Sequence, residues 1–277
     1  MANIYISKEE FEAALPVAMT KNNDVYETLT MAIRRATEEV ATEILGNVGV
    51  EAVETGEDGN LVCSAKALIS FRAFLRNFRS LDLVLTATGF GIVSTDSTAP
   101  ASRARVDALI EEMSVERLLV KDKILTSMIM VEGWGDTEQA KRNIATLFPL
   151  SKLMRSHTTK ALTTANWQEA QGNAIIATDI LRTEISTEYM DELLTKYRNA
   201  TLDNADMTVI MKCQYFIGDY ISHAPEGKPN KIALQMIVEQ LEAYTDSYPT
   251  YKSSRLYAKR HGQRYENKPE HPTFFFM

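Results

Sequence analysis

The stretch Thr88-Gly89-Phe90-Gly91-Ile92-Val93-Ser94 carries two glycines at a spacing that can let a backbone approach a phosphate. A dinucleotide fingerprint also needs a third small residue that lets a helix start against the preceding strand. Here that place falls to Ser94, and the chain continues with Val and Ile as another extended run. A P-loop would need Gly-Lys-Ser/Thr, which the chain lacks. Gly89 and Gly91 are therefore read as bending a β-hairpin, and no cofactor is expected. The histidines, His157, His223, His261 and His271, form no HxxxH or HxxE pair on one helix, so zinc hydrolysis has no basis. No GxSxG nucleophile motif occurs. Metal sites and catalytic residues are expected to be absent, and the chain reads as a non-enzyme.

Charge offers more. Arg72, Arg76 and Arg79 recur at i, i+4 and i+7, which sets three guanidinium groups on one helical face. Glu111, Glu112 and Glu116 make an acidic face on a later helix. Three readings of the arginines stay open: a solvated surface, pairing with the acidic face of a neighbouring copy, or contact with nucleic-acid phosphates. These six residues are the candidate subunit interface.

The elements that must carry them follow from short-range signals. Ser7 and Glu10 form a capping box flanked by Ile6 and Phe11 at the staple positions, and Pro16 ends that first helix. Asp24 and Glu27 repeat the cap for a longer helix with the stripe Leu29, Ile33, Ala36, Val40 and Ile44, stopped at Gly46. Residues 46–60 read as a glycine-rich acidic loop. A helix over 61–79 has Leu61, Leu68, Leu75 and Phe78 as core contacts. The hairpin occupies about 81–95. From Pro100 an apolar stripe runs to Gly133, about 30 residues and on the order of 45 Å of helix. Further helices are predicted over 137–148, 165–183, 187–199 (capped by Ser186), 203–222 and 230–245. The fold class is mainly α.

The whole chain has 277 residues, a formal charge of −7 and a pI near 5.3, which disfavours a surface-wide nucleic-acid binder. Cys63 and Cys213 lie far apart and read as buried reduced thiols. Neither a signal peptide nor a membrane-spanning run is apparent, so a soluble protein is expected. Residues 250–277 differ in kind, with a formal charge of +4 against −11 for the rest. Their aromatic residues, Tyr251, Tyr257, Tyr265, Phe274, Phe275 and Phe276, suit an extended basic tail that docks on a partner. The predicted division is a helical domain over 1–249 and a docking tail over 250–277.

Two stretches resemble known proteins. The opening, Ile6-Ser7 to Glu10 and then Leu29 to Leu45-Gly46, resembles the start of tailed-phage head–tail adaptors. Phe71 to Met113, FRAFLRNFRSLDLVLTATGFGIVSTDSTAPASRARVDALIEEM, is similar to a block found in a neck-protein family of crAss-like phages and related Bacteroidales prophages. That resemblance implies a helical bundle of adaptor type with one inserted hairpin. It implies a non-enzymatic ring of about twelve copies in the portal–tail neck of the virion. Its partners would be other copies, the portal, adjacent neck rings and passing DNA bound without sequence preference, with synthesis in the host cytoplasm. It supplies no catalytic residues, and the match leaves residues 150–277 without a role. Two other readings remain: a helical enzyme or regulatory domain with a site built from distant residues, and a nucleic-acid module using the basic tail.

Overall fold

Ser7 accepts the Glu10 amide while the Glu10 carboxylate takes the Ser7 amide, so the box closes in both directions. Ile6 and Phe11 are both buried beside it. Helix α1, Lys8–Ala14, ends at Leu15, whose extended backbone is what a following proline demands. The computed structural model describes residues 4–15, 25–78, 81, 83–86, 89–92, 102–224 and 228–262. It is mainly helical.

A short α2 (Val25–Thr28) leads into α3 (Thr30–Val40), which buries Ile33, Ala36 and Val40 as the stripe requires. The ladder then widens into a π turn over Ala41–Leu45, closed by the Gly46 amide on the Ala41 carbonyl. Gly46 does not stop the track. It takes φ 65°, a left-handed value that favours glycine, and opens α4, Gly46–Thr55. The expected loop over 46–60 is therefore helical for most of its length. Gly49 helps α4 pack closely here: a Cβ there would lie 2.6 Å from Met128 Cε and 2.9 Å from Leu45 Cβ, so a larger residue would force a shift. The stop falls at Gly56, in the left-handed conformation.

Asp58 then caps α5, Gly59–Asn77, which buries Leu61, Leu68 and Phe71. Strands β1 (Leu83–Thr86) and β2 (Gly89–Ile92) pair antiparallel, with Leu83 opposite Ile92 and Thr86 opposite Gly89. Residues 93–101 lie outside the described residues, and with them Ser97, Thr98 and Pro100.

Helix α6, Arg103–Met128, has 26 residues and is roughly 39 Å long. Its first ten residues include no buried side chain; burial begins at Met113 and continues through Val120, Ile124, Leu125 and Met128. After a 3₁₀ turn at Trp134–Asp136, the Thr137 hydroxyl caps α7, Glu138–Asn143. The predicted helix over 137–148 is cut short there. Asp122 on α6 accepts the amides of Ser151 and Lys152, which holds 144–152 as a buried, non-helical crossing.

The second half follows its caps closely. After α8 (Leu153–His157) come α9 (Thr164–Glu184, capped by Thr163), α10 (Thr187–Arg198, capped by Ser186) and α11 (Asn204–His223, capped by the Asp203–Asp206 box). Then come α12 (Lys231–Ala243), α13 (Pro249–Lys252) and α14 (Arg255–His261). Two apolar clusters result. One gathers α1 to α7 with most of α6, and the other gathers α8 to α13. Leu118 reaches the second cluster from α6.

Two expectations need correction. Tyr251 belongs to no docking tail: it is wholly buried, donates to Glu242 at 2.6 Å, and accepts from Arg260 at 2.9 Å. It meets Tyr189 and Tyr257 edge-on, with Tyr257 partly buried against the same cluster. Pro249 in the first turn of α13 and Ser254 as the cap of α14 make this segment helical, so the body runs to at least residue 261. Tyr265, Phe274, Phe275 and Phe276 lie outside the described residues. The cysteines also differ from the expected pair of buried thiols, because Cys63 is exposed on α5. Burial pushes the Cys213 thiol up to about 12. A thiol reagent at neutral pH should therefore modify one cysteine per native chain, Cys63, and reach Cys213 only after denaturation. Rapid native labelling of both, followed by mass spectrometry, would contradict this packing. Among the described residues no helix is long and apolar enough to cross a membrane.

Candidate functional site: a basic furrow between three helices

Arg72 and Arg76 sit one turn apart on α5, facing Glu39 at the end of α3 and Glu43 in the π turn. The Arg72 guanidinium lies 2.7 Å from Glu43 and 3.9 Å from Glu39, and Arg76 lies 2.5 Å from Glu39. The hydrogen bond from Arg76 holds the Glu39 carboxyl below the usual carboxylate range, and Glu39 in turn raises Arg76. These two arginines thus tie α5 to α3 within one chain. Arg79 falls outside the described residues.

Helix α6 forms the third wall, with Arg117 and Lys121 also one turn apart. Both are half-buried, and among the described residues neither has a carboxylate within ion-pairing distance. Burial pushes the Arg117 guanidinium down, and Arg72 and Arg76 repel it further. Lys121 is lowered first by burial and then by Arg72, against a smaller pull from Asp122 and Glu43. The open depression between these helices has a volume of about 520 Å³, with Leu68, Leu75, Ile110 and Leu118 among its walls. Four cations face two carboxylates there. Across the Arg72–Arg76 ridge lies a second depression of about 480 Å³, lined by Arg34, Arg35 and Glu38 among others. The furrow can take an anion, and its apolar walls favour one carried on a side chain or a similar amphipathic group.

The acidic face is placed elsewhere. Glu111 accepts the Thr164 amide at 3.0 Å and so joins α6 to the start of α9. Glu112 and Glu116 are exposed and have no ion pair among the described residues. Among the described residues of the sequence-predicted interface, Arg72 and Arg76 pair with Glu43 and Glu39 and not with Glu111, Glu112 or Glu116. Sequence reasoning missed Arg117 and Lys121, whose i, i+4 spacing was visible in Arg117-Leu118-Leu119-Val120-Lys121 but was read only for its apolar stripe. Gly89 and Gly91 lie in β2, opposite Thr86 and Val84. Among the described residues no group of three or more His, Cys, Asp or Glu side chains could hold a metal ion.

Residues 38–144 match the profile of a family described as a family of unknown function (DUF6712). Comparison with curated proteins and with solved structures gives no match. The matched stretch contains Glu39, Glu43, Arg72, Arg76, Arg117 and Lys121, the whole charged lining of the furrow. It stops at Ile144 of the first cluster, just before Leu147 opens the second.

Proposed function

We propose that this chain is a structural subunit of a phage head–tail connector, one copy of a ring in the portal–tail neck that joins portal to tail and lines the DNA path. The observation that carries the reading is the pair Arg117 and Lys121, half-buried and, among the described residues, without a carboxylate in ion-pairing distance. Holding cations in that state costs free energy unless an anion from outside completes the site, which suits a protein built to be one part of an assembly. The resemblance of Phe71 to Met113 to neck proteins supports the same reading. The mainly helical fold supports it as well.

In this role the chain has no catalytic residues and binds no cofactor. It assembles with about twelve copies of itself, with portal and with adjacent neck rings, and resides in the virion after synthesis in the host cytoplasm. Residues 263–277, with Phe274 to Phe276, dock on a neighbouring ring. Sedimentation and electron microscopy of the protein, alone and mixed with its portal, should reveal rings. A chain that stays monomeric at every concentration and forms no complex with portal would rule the reading out.

The basic furrow also favours a second reading, contact with nucleic-acid phosphates. In that case duplex DNA binding should weaken steeply with salt and be lost on neutralising Arg117 and Lys121.

A further inference from the structure

We infer that the furrow of one copy receives Glu112 and Glu116 of the next copy, in a head-to-tail contact that uses opposite flanks of α6. The inference rests on the ring reading and specifies its interface. Arg72 and Arg76 are already paired inside the chain, so Arg117 and Lys121 are the charges left to satisfy. They are spaced i, i+4, and so are the exposed Glu112 and Glu116, which have no ion pair among the described residues. On a helix both pairs span roughly 6 Å, which lets two carboxylates meet two cations at once.

At about 100° per residue, the midpoint of the acidic pair is turned roughly 140° from that of the basic pair. Between them lie Met113 and Val120, the buried side of α6. A two-fold dimer would need donor and acceptor on one shared patch, which this placement prevents. Different flanks meeting copy after copy give a heterologous contact, which closes into a ring or continues as a filament. Carboxylate is favoured over phosphodiester because Glu39 and Glu43 stand at the furrow and would repel a polyanion, whereas two isolated carboxylates need only two free cations. Glu112 and Glu116 are themselves exposed, which leaves the approach to the acidic flank open.

Zero-length carbodiimide coupling tests this directly, on a mixture of ¹⁴N and ¹⁵N full-length protein at high concentration. An amide between Lys121 of one isotope and Glu112 or Glu116 of the other is expected, and its yield should drop about tenfold or more in E112Q/E116Q. Mixing E112Q/E116Q with R117Q/K121Q should give pairs that stop at two copies, since each variant keeps only one working flank. Both variants should keep the wild-type circular dichroism. E112Q/E116Q should melt as wild type because Glu112 and Glu116 are exposed. R117Q/K121Q should melt no lower, because among the described residues Arg117 and Lys121 have no carboxylate partner to lose and their burial as cations is itself unfavourable. If rings form but the isotope-mixed cross-link is absent and E112Q/E116Q assembles normally, this interface is wrong while the ring reading stands. If no oligomer forms with or without portal, both fall. If R117Q/K121Q instead abolishes duplex DNA binding and no cross-link appears, the occupant is a nucleic acid.

Discussion

Trp134→Ala is expected to cost about 3–5 kcal/mol of folding stability, a large share of the roughly 5–15 kcal/mol that holds a domain together. Trp134 is wholly buried in the 3₁₀ turn after α6, and its indole Nε1 donates to the Ile44 carbonyl at 3.1 Å. Ile44 belongs to the π turn, where the widened ladder leaves this carbonyl to be satisfied by a distant partner. Truncation therefore opens a cavity and also orphans a buried acceptor, a loss of about 1–3 kcal/mol by itself. Trp134→Phe separates the two effects, because it retains ring packing but cannot donate. Urea denaturation of the three proteins should rank wild type above Trp134→Phe above Trp134→Ala. Coincident midpoints would mean that the indole is not where the packing puts it.

The second large effect is expected at Asp122, buried on α6. Its carboxylate accepts the Ser151 amide at 2.9 Å, the Ser151 hydroxyl at 2.8 Å and the Lys152 amide at 2.8 Å. Asp122→Ala leaves three donors without an acceptor in a buried crossing, and a loss of about 2–4 kcal/mol follows. Asp122→Asn should cost less, since its remaining oxygen still serves one amide. Burial is the largest influence on this carboxyl and raises its pKa, with the three donors pulling the other way. The sign of the pH effect follows. With the folded pKa above the unfolded value, the native chain holds the extra proton between the two. Wild-type stability measured against Asp122→Asn should then fall as pH rises through that window, beginning near the ordinary carboxylate value. Denaturation midpoints of both proteins from about pH 4 to pH 8 measure that difference; a gap that widens in favour of wild type as pH rises would reverse the assignment.

Much of the helical framework was legible because its signals are local. The box at Ser7 and Glu10, the cap at Ser186 and the stripe ending at Ile44 act within one or two turns, and the helices they predict are present. Gly46 misled for a physical reason: a positive φ, which favours glycine, serves both the stop at Gly56 (φ 73°, ψ 14°) and the redirection at Gly46 (φ 65°, ψ −175°), and the sequence does not show the ψ that tells them apart. The difference is made by Met128, which fills the notch at Gly49 from far along the chain. Tyr251 misled similarly, since an aromatic residue in a basic segment shows its partners, Glu242 and Arg260, only once α12 and α14 are placed. At the furrow the arginine face was readable and its function was not. That Arg72 and Arg76 are neutralised by Glu43 and Glu39 depends on α3 lying against α5, and only then do Arg117 and Lys121 stand out as the charges left over.

The π turn at Ala41–Leu45 holds one residue more than an α-helical turn needs. Removing that residue, for instance the exposed Thr42, would let the ladder close in the ordinary way. Every side chain downstream would then rotate by roughly 100° about the axis. Val53 would swing out of the core and Gly49 would no longer face Met128. The surplus residue thus works as a phase shifter, setting the angular offset between the surface α3 shows to α5 and the surface α4 shows to α6.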